Sequence, residues 1–251
     1  MLSYRNSTTE VADSGTDTVI IPIGATEQFG PYLPMHIDTL IVGQLAEAYG
    51  NALGGYVLPA LPFNTSEEHA SLKGTVTISP GVIMSLLEEI IMNLHRQGFR
   101  KFIICSGHGG AYWEPAFVKQ MNFKYPELLM MAPPYRDEEA QAVAKEAAGL
   151  EELKEMHGGL LSVCTAMWLC PELVTLESMG SDVPAEHLKF IDHVPWEKLT
   201  GGSGNWGKFT AGEYSKEELA EKGEKFWTAY TAWKCDGLKE YVEEAYARKM
   251  N

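Results

Sequence analysis

The chain has 251 residues, a formal net charge of −14 at pH 7 and 45% hydrophobic residues. That charge excludes nucleic acid or an anionic membrane as partner, because both need a basic face, while the apolar fraction is ample for a packed core. The length fits one large α/β domain over residues 1–251; with no apolar run near the ~18 residues of a membrane span and no apolar segment in residues 1–17, a cytoplasmic protein is expected.

Strand-like and helix-like runs alternate along the chain. Residues 18–23 are apolar and β-branched and read as a strand. Residues 39–51 have helical spacing, with Asp38 or Thr39 as the N-cap. A short strand is expected over 55–59, then a loop over 66–77. Ser79-Pro80-Gly81 opens a long helix over 82–97, which Gly98 ends. A second strong strand, 101–105, precedes a helix over 113–125 and a strand over 128–132. After Pro133-Pro134, residues 137–154 are charged, Ala-rich and helical, as a surface or inserted helix would be. His157-Gly158-Gly159 opens an apolar helix over 160–169, closed by Pro171. Residues 175–212 are loop-rich, and the Gly-rich stretch 201–207 lacks the order of a phosphate cradle. Residues 217–250 are helical, broken near Asp236-Gly237. Alternating β and α runs predict a mostly parallel sheet with helices on both faces.

The chemistry-bearing residues gather behind the two strong strands. Residues 22–38 deliver Glu27, His36 and Asp38 on a loop shaped by Gly and Pro. The strand at 101–105 ends in Ser106-Gly107-His108-Gly109-Gly110. Carboxylate oxygen plus imidazole is a mixed donor set that suits Zn, Mn or Fe. Two strand ends presenting donors predict one site at the carboxyl edge of the sheet. His36 and Asp38, two apart, point to one side if that segment is extended. The competing reading makes Glu27 and Asp38 caps of turns and His108 a loop residue, and spacing alone leaves both open.

His157 at a helix start, preceded by Glu155, fits a general acid/base oriented by a carboxylate, or a helix-cap histidine. Glu68 and His69 fit a substrate contact, or an exposed charged loop. His187 and His193 have no partner pattern and read as surface residues. The aromatics Phe226, Trp227, Tyr230 and Trp233 recur at helical spacing and read as a core or subunit face. No serine sits in a nucleophile elbow. The four cysteines have no metal or disulfide spacing and read as free thiols in a reducing compartment, with Cys105 in the core.

Together these motifs resemble the creatininase (creatinine amidohydrolase) family. The run Gly24-Ala25-Thr26-Glu27-Gln28-Phe29-Gly30-Pro31-Tyr32-Leu33-Pro34, followed by Asp38, is similar to its signature G-S/A-x-E-Q-H-G-P-H-L-P with a later D. Gly107-His108-Gly109-Gly110 is similar to its GHGGN turn, and Glu68-His69 with Gly74-Thr75 to its EH and PGT stretch. His157-Gly158-Gly159 and Ala220-Glu221-Lys222-Gly223-Glu224 resemble its HAG and A-x-x-GE segments. The resemblance implies a three-layer α/β/α fold, frequently a homohexamer, with a metal site at the sheet's carboxyl edge. It implies cleavage of cyclic amides and related bonds by a metal-activated water, with Glu27, Asp38 and His108 as ligands of a first metal.

The departures narrow this. The family's second-metal histidine falls at Phe29, its second-metal carboxylate at Gly110, and the glutamate after its HAG falls at Ser162. One divalent metal per chain is therefore expected, Zn before Mn or Fe, with His36 completing the shell. The expected activity is hydrolysis of a small polar, cyclic carbonyl compound, with His157 and Glu155 handling the proton and Glu68 and His69 contacting substrate. The alternatives are hydrolytic C–C ring opening of a cyclic ketone such as an oxidised inositol, a metal-dependent isomerase or lyase of a sugar-like keto compound, and a non-catalytic binding protein.

Overall fold

Two runs of bulky apolar residues make the centre of the fold. Thr18–Ile23 (β2) and Lys101–Ser106 (β4) lie side by side in parallel, Thr18 opposite Lys101 and Ile23 opposite Ser106, and every residue of both is buried. Strands covered on both faces need such continuous runs. Their side chains alternate between two cores. Val19, Ile21, Phe102 and Ile104 enter one, and Ile20, Ile103 and Cys105 enter the other. The computed structural model describes residues 1–251. Leu2–Ser3 (β1), Tyr56–Val57 (β3) and Leu129–Met131 (β5) complete a five-stranded sheet, parallel throughout, in the order β1-β3-β2-β4-β5.

Helices cover both faces, giving three α/β/α layers. The first core is closed by Pro80–Arg96 (α3) and Glu114–Lys124 (α4), through Ile83, Leu87, Ile91, Phe117 and Met121. Complete burial of one such side chain contributes roughly 1.5–3 kcal/mol. Ile37–Leu53 (α2), Glu138–Ala148 (α5), Leu160–Leu169 (α6), Lys216–Cys235 (α8) and Leu238–Met250 (α9) enclose the other core. Two short helices, Thr8–Asp13 (α1) and Trp196–Leu199 (α7), lie in the connections.

Local chemistry sets most boundaries. Pro80 occupies the first turn of α3, where its missing N–H costs nothing. Ser215 and Glu218 form a reciprocal capping box at the start of α8. Gly237, with φ +63°, separates α8 from α9. The Ala-rich helix differs from its expectation in two respects. It stops at Ala148 because Gly149 turns the chain at φ +63°, and it is packed rather than peripheral. Ala140, Ala144 and Ala148 are buried against α8, the small side chains permitting close approach. The stretch read as loop-rich holds an antiparallel pair, Met179–Ser181 (β6) with Gly207–Phe209 (β7), too short to show a period.

The topology places the site. From β2 the chain passes through α2 to β3 on one side; from β4 it passes through α4 to β5 on the other. The crevice beyond the carboxyl ends of β2 and β4 is thus a topological switch point, where open α/β sheets bind ligands. At the opposite end, the buried Lys101 ammonium of β4 pairs with Asp17 at 3.1 Å and with Glu243 of α9 at 2.7 Å, tying the C-terminal helix to the sheet.

Candidate active site

Glu27 lies just past β2, His108 just past β4, and Asp38 in the first turn of α2. Two glycines bring them together. A side chain at Gly24 would place its Cβ 2.5 Å from Thr39 Cα, and one at Gly107 would meet Val42 Cβ at 2.7 Å. Only bare backbone there lets the start of α2 seat directly on the strand ends. His108 Nδ1 then stands 3.0 Å from Asp38 Oδ2 and 3.3 Å from Glu27 Oε1, all three residues being buried.

The hydrogen bonds assign the proton on this imidazole. His108 Nε2 lies 2.6 Å from the Thr65 carbonyl, which can only accept, so Nε2 carries the hydrogen and Nδ1 offers a lone pair. Three acceptors therefore converge, and the second oxygen of Glu27 is buried with no partner at all. Such a group must hold a cation. Without metal that cation is a proton shared within the trio. Burial opposes charge on His108, but Glu27 and Asp38 outweigh it and raise its pKa well above the ordinary 6.5. Burial and the charge of Glu27 push Asp38 up to about 7. For Glu27, burial is outweighed by the facing histidines, which hold it well below the usual carboxylate range. Two carboxylates and one neutral imidazole balance a divalent ion in charge, and the mixed N/O donors fit Zn, Mn or Fe.

A second imidazole approaches Glu27 from another side. His157 Nδ1 is 3.7 Å from Glu27 Oε1, and its Nε2–H donates to the Gln28 carbonyl at 2.6 Å. The Gln28 side chain is oriented by two backbone groups: its oxygen accepts from Gly30 N–H at 2.9 Å and its nitrogen donates to Gly204 C=O at 2.8 Å. The remaining N–H donates to His69 Nδ1 at 3.1 Å, so neutral His69 carries its own hydrogen on Nε2. A nitrogen each from His69 and His157 also clusters with Glu27, but this tautomer leaves His69 no lone pair for a metal. The His157 ring is packed between Phe29 (4.3 Å) and His69 (4.4 Å), with Trp196 edge-on to both imidazoles. Burial lowers His157 below its ordinary value, against Glu27, and burial with the His157 charge lowers His69 to about 3. Both are neutral at pH 7.

These groups line a cavity of about 130 Å³, which shares Glu68, Gly109, Gly110, Arg136 and Trp196 with an outer cleft of about 630 Å³. Glu68, His69, Glu155 and His157 all face the cavity. Burial raises Glu68 above its ordinary value. Glu155 accepts the Leu161 N–H at 2.9 Å and so caps α6; its other oxygen is buried and unpartnered, and burial pushes it up to about 7. At Gly110 there is no room for a side chain, because a Cβ would lie 2.8 Å from Glu68 Oε1 and 2.9 Å from Thr65 O.

The structure does not bring His36 to the trio. Asp38 is already inside a helix, where a two-residue step turns the side chain by ~200° rather than returning it to the same side, and His36 stays part-exposed at the N-cap of α2. Phe226, Trp227 and Tyr230 pack the core as expected and also wall the cavity, while His193 is exposed yet borders the outer cleft. The sequence reading missed Tyr135, Arg136 and Trp196. The first two follow β5 directly, so the strand-end rule applied to a third strand finds them. Trp196 comes from α7, distant in sequence, without any local signal.

A parallel layered sheet with a buried carboxylate–imidazole group at its switch point defines the class: an α/β/α protein with a metal-type centre. Within that class, residues 5–236 match the creatininase family, described as creatinine amidohydrolase, and the chain belongs to it. It is similar to the 3-dehydro-scyllo-inosose hydrolase of Thermotoga maritima, 27% identical over 164 residues that cover 64% of this chain and 53% of that protein. The matched segment thus spans about half the length of that relative. It is also similar to the creatinine amidohydrolase of Pseudomonas putida, 22% identical over 73% of this chain and 76% of that one. Solved creatininase structures share the fold: a Zn–Zn form at TM-score 0.75 and a Mn form at 0.74, each 19% identical and covering 96% of this chain and 98% of the other.

Proposed function

We propose that the chain is a metal-dependent hydrolase of a small polar, cyclic carbonyl compound, with one divalent ion, zinc by preference, held by Glu27, Asp38 and His108. The observation that carries this reading is the convergence of three buried acceptors, with the His108 lone pair aimed at two carboxylates. A divalent ion there would polarise the substrate carbonyl and lower the pKa of a water. His157 Nδ1, kept unprotonated at pH 7, takes the proton of the attacking water and returns it to the leaving group. The Gln28 carbonyl holds that ring in the required tautomer. His69 presents its Nε2–H toward the same space, and Glu68 lines the way in from the outer cleft. Glu155 supports His157 indirectly, by fixing the start of α6. The aromatic walls restrict water to the reacting face.

The family default is cleavage of a cyclic amide. The similarity to an inosose hydrolase favours a second reading, hydrolytic C–C ring opening of a cyclic ketone at the same centre. In both, residues 1–251 act as one creatininase-like domain, assembled as a homohexamer in the cytoplasm; the four unpaired cysteines are in keeping with a reducing compartment. The test is elemental analysis of protein purified without chelator, with turnover of creatinine and of 3-dehydro-scyllo-inosose. Metal at one equivalent with hydrolysis of either compound supports the reading. A metal-free chain that turns over neither would return the weight to a binding protein.

A further inference from the structure

Arg136 is anomalous in a chain of net charge −14. It follows Pro133-Pro134 beyond β5 and borders both the inner cavity and the outer cleft. The carboxylates around that space are Glu27, Asp38, Glu67, Glu68, Glu155 and Asp192, yet the guanidinium forms no ion pair and no hydrogen bond with any of them. Its neighbour Asp137 is engaged by Lys234 at 2.9 Å. The other basic residue on the cavity, Lys145, is occupied by the Leu153 carbonyl at 2.8 Å. Arg136 is thus the one free cation at the entrance.

It is exposed to solvent and reaches back over the site. The guanidinium lies against the backbone of Gly109, where a side chain's Cβ would come within 2.7 Å of Nη2, 3.0 Å of Nε and 3.2 Å of Cζ. The planar group thus rests on the turn that carries His108.

We propose that Arg136 is a specificity-determining residue that receives a carboxylate of the substrate, so that the compound hydrolysed here is a small cyclic carbonyl compound bearing a carboxylate. A planar guanidinium matches a carboxylate with two parallel hydrogen bonds. One unengaged cation among six carboxylates favours a monoanion over the nearly double charge of a phosphate. Anchored on the rim, the acid would hold its ring inside the cavity with the carbonyl toward Glu27, Asp38 and His108, which is where orientation lowers the barrier. This assignment rests on the hydrolase reading above.

The test uses two matched lactams, 5-oxoproline and 2-pyrrolidinone, which differ by the carboxylate. Ligand-observed NMR titrations are run on the wild type, Arg136→Gln and Arg136→Lys, each metal-free and zinc-loaded. The metal-free wild type is expected to prefer 5-oxoproline by roughly 10- to 100-fold, Arg136→Gln to lose that preference, and Arg136→Lys to keep part of it. Absence of a preference in the metal-free wild type, whether both lactams bind or neither does, overturns the proposal, as does a preference that survives in Arg136→Gln. Because the metal-free arm needs no activity, a chain that binds no zinc would sink the hydrolase reading while the lactam preference still decides the role of Arg136.

Discussion

His108 and His157 turn the same atom to the same carboxylate, Nδ1 to Glu27 Oε1, at 3.3 and 3.7 Å. Each also gives its Nε2–H to a backbone carbonyl at 2.6 Å, that of Thr65 in one case and of Gln28 in the other. What separates them is the next neighbour. His108 faces a second carboxylate, Asp38, and its affinity for positive charge rises. His157 faces the rings of Phe29 and His69, and its affinity falls. One imidazole is thereby suited to hold an ion and the other to move a proton. Residue type and tautomer are shared; the wall behind each ring sets its proton affinity.

The contrast can be broken from either side. His108→Ala removes the only nitrogen donor of the trio, and both bound metal and turnover are expected to vanish; elemental analysis and a hydrolysis assay check this, and retained turnover would sink the assignment. His157→Gln should spare the metal while lowering kcat by roughly 10²- to 10⁴-fold. Metal content unchanged beside a collapsed kcat is the signature, and parallel loss of metal would make His157 a ligand instead. The pH profile sharpens the same point. Since burial lowers His157 below its ordinary value, the base is active above its pKa, and the acid limb of kcat/KM assigned to it should be centred below that of a free imidazole. A limb centred above 7 would show that the aromatic walls do not set its proton affinity.

The smallest effect concerns a carboxylate that neither imidazole uses. Glu114, at the start of α4, is pushed from 4.5 up to about 7 by burial, against a Ser106 hydrogen bond and the His108 charge. Its folded form holds the proton more tightly than the unfolded chain, so stability falls as pH rises from about 4.5 to 7. Glu114→Gln should therefore stabilise the metal-free protein by roughly 1–3 kcal/mol at pH 8 and by little at pH 4. Urea unfolding at the two pH values measures it; an equal effect at both would exclude the ionisation as its cause.

Much of this was legible in the chain itself. β2 and α6 have the limits expected of them, because buried runs of β-branched residues and an apolar helix opened by glycine leave few alternatives. Glu27, Asp38 and His108 were readable for the same reason: they sit beside strand ends, and strand ends meet. His36 failed because the period of two assumed for residues 36–38 does not hold once α2 begins at Ile37. Trp196 and the side-chain role of Gln28 reach the site through contacts across more than a hundred residues, which depend on how the connections close over the sheet. The burial of Ala140, Ala144 and Ala148 was hidden by composition, since alanine on a charged helix looks the same whether it faces water or a neighbouring helix.

β4 carries His108 beyond its carboxyl end and Lys101 at its amino end. The six residues between span ~20 Å, with the Asp17 and Glu243 pairs at one end and the candidate centre at the other. Selection for tolerance of heat or acid would act on the lysine end, and selection for a new substrate on the histidine end. Robustness and specificity can therefore be tuned on the same strand without one being traded for the other.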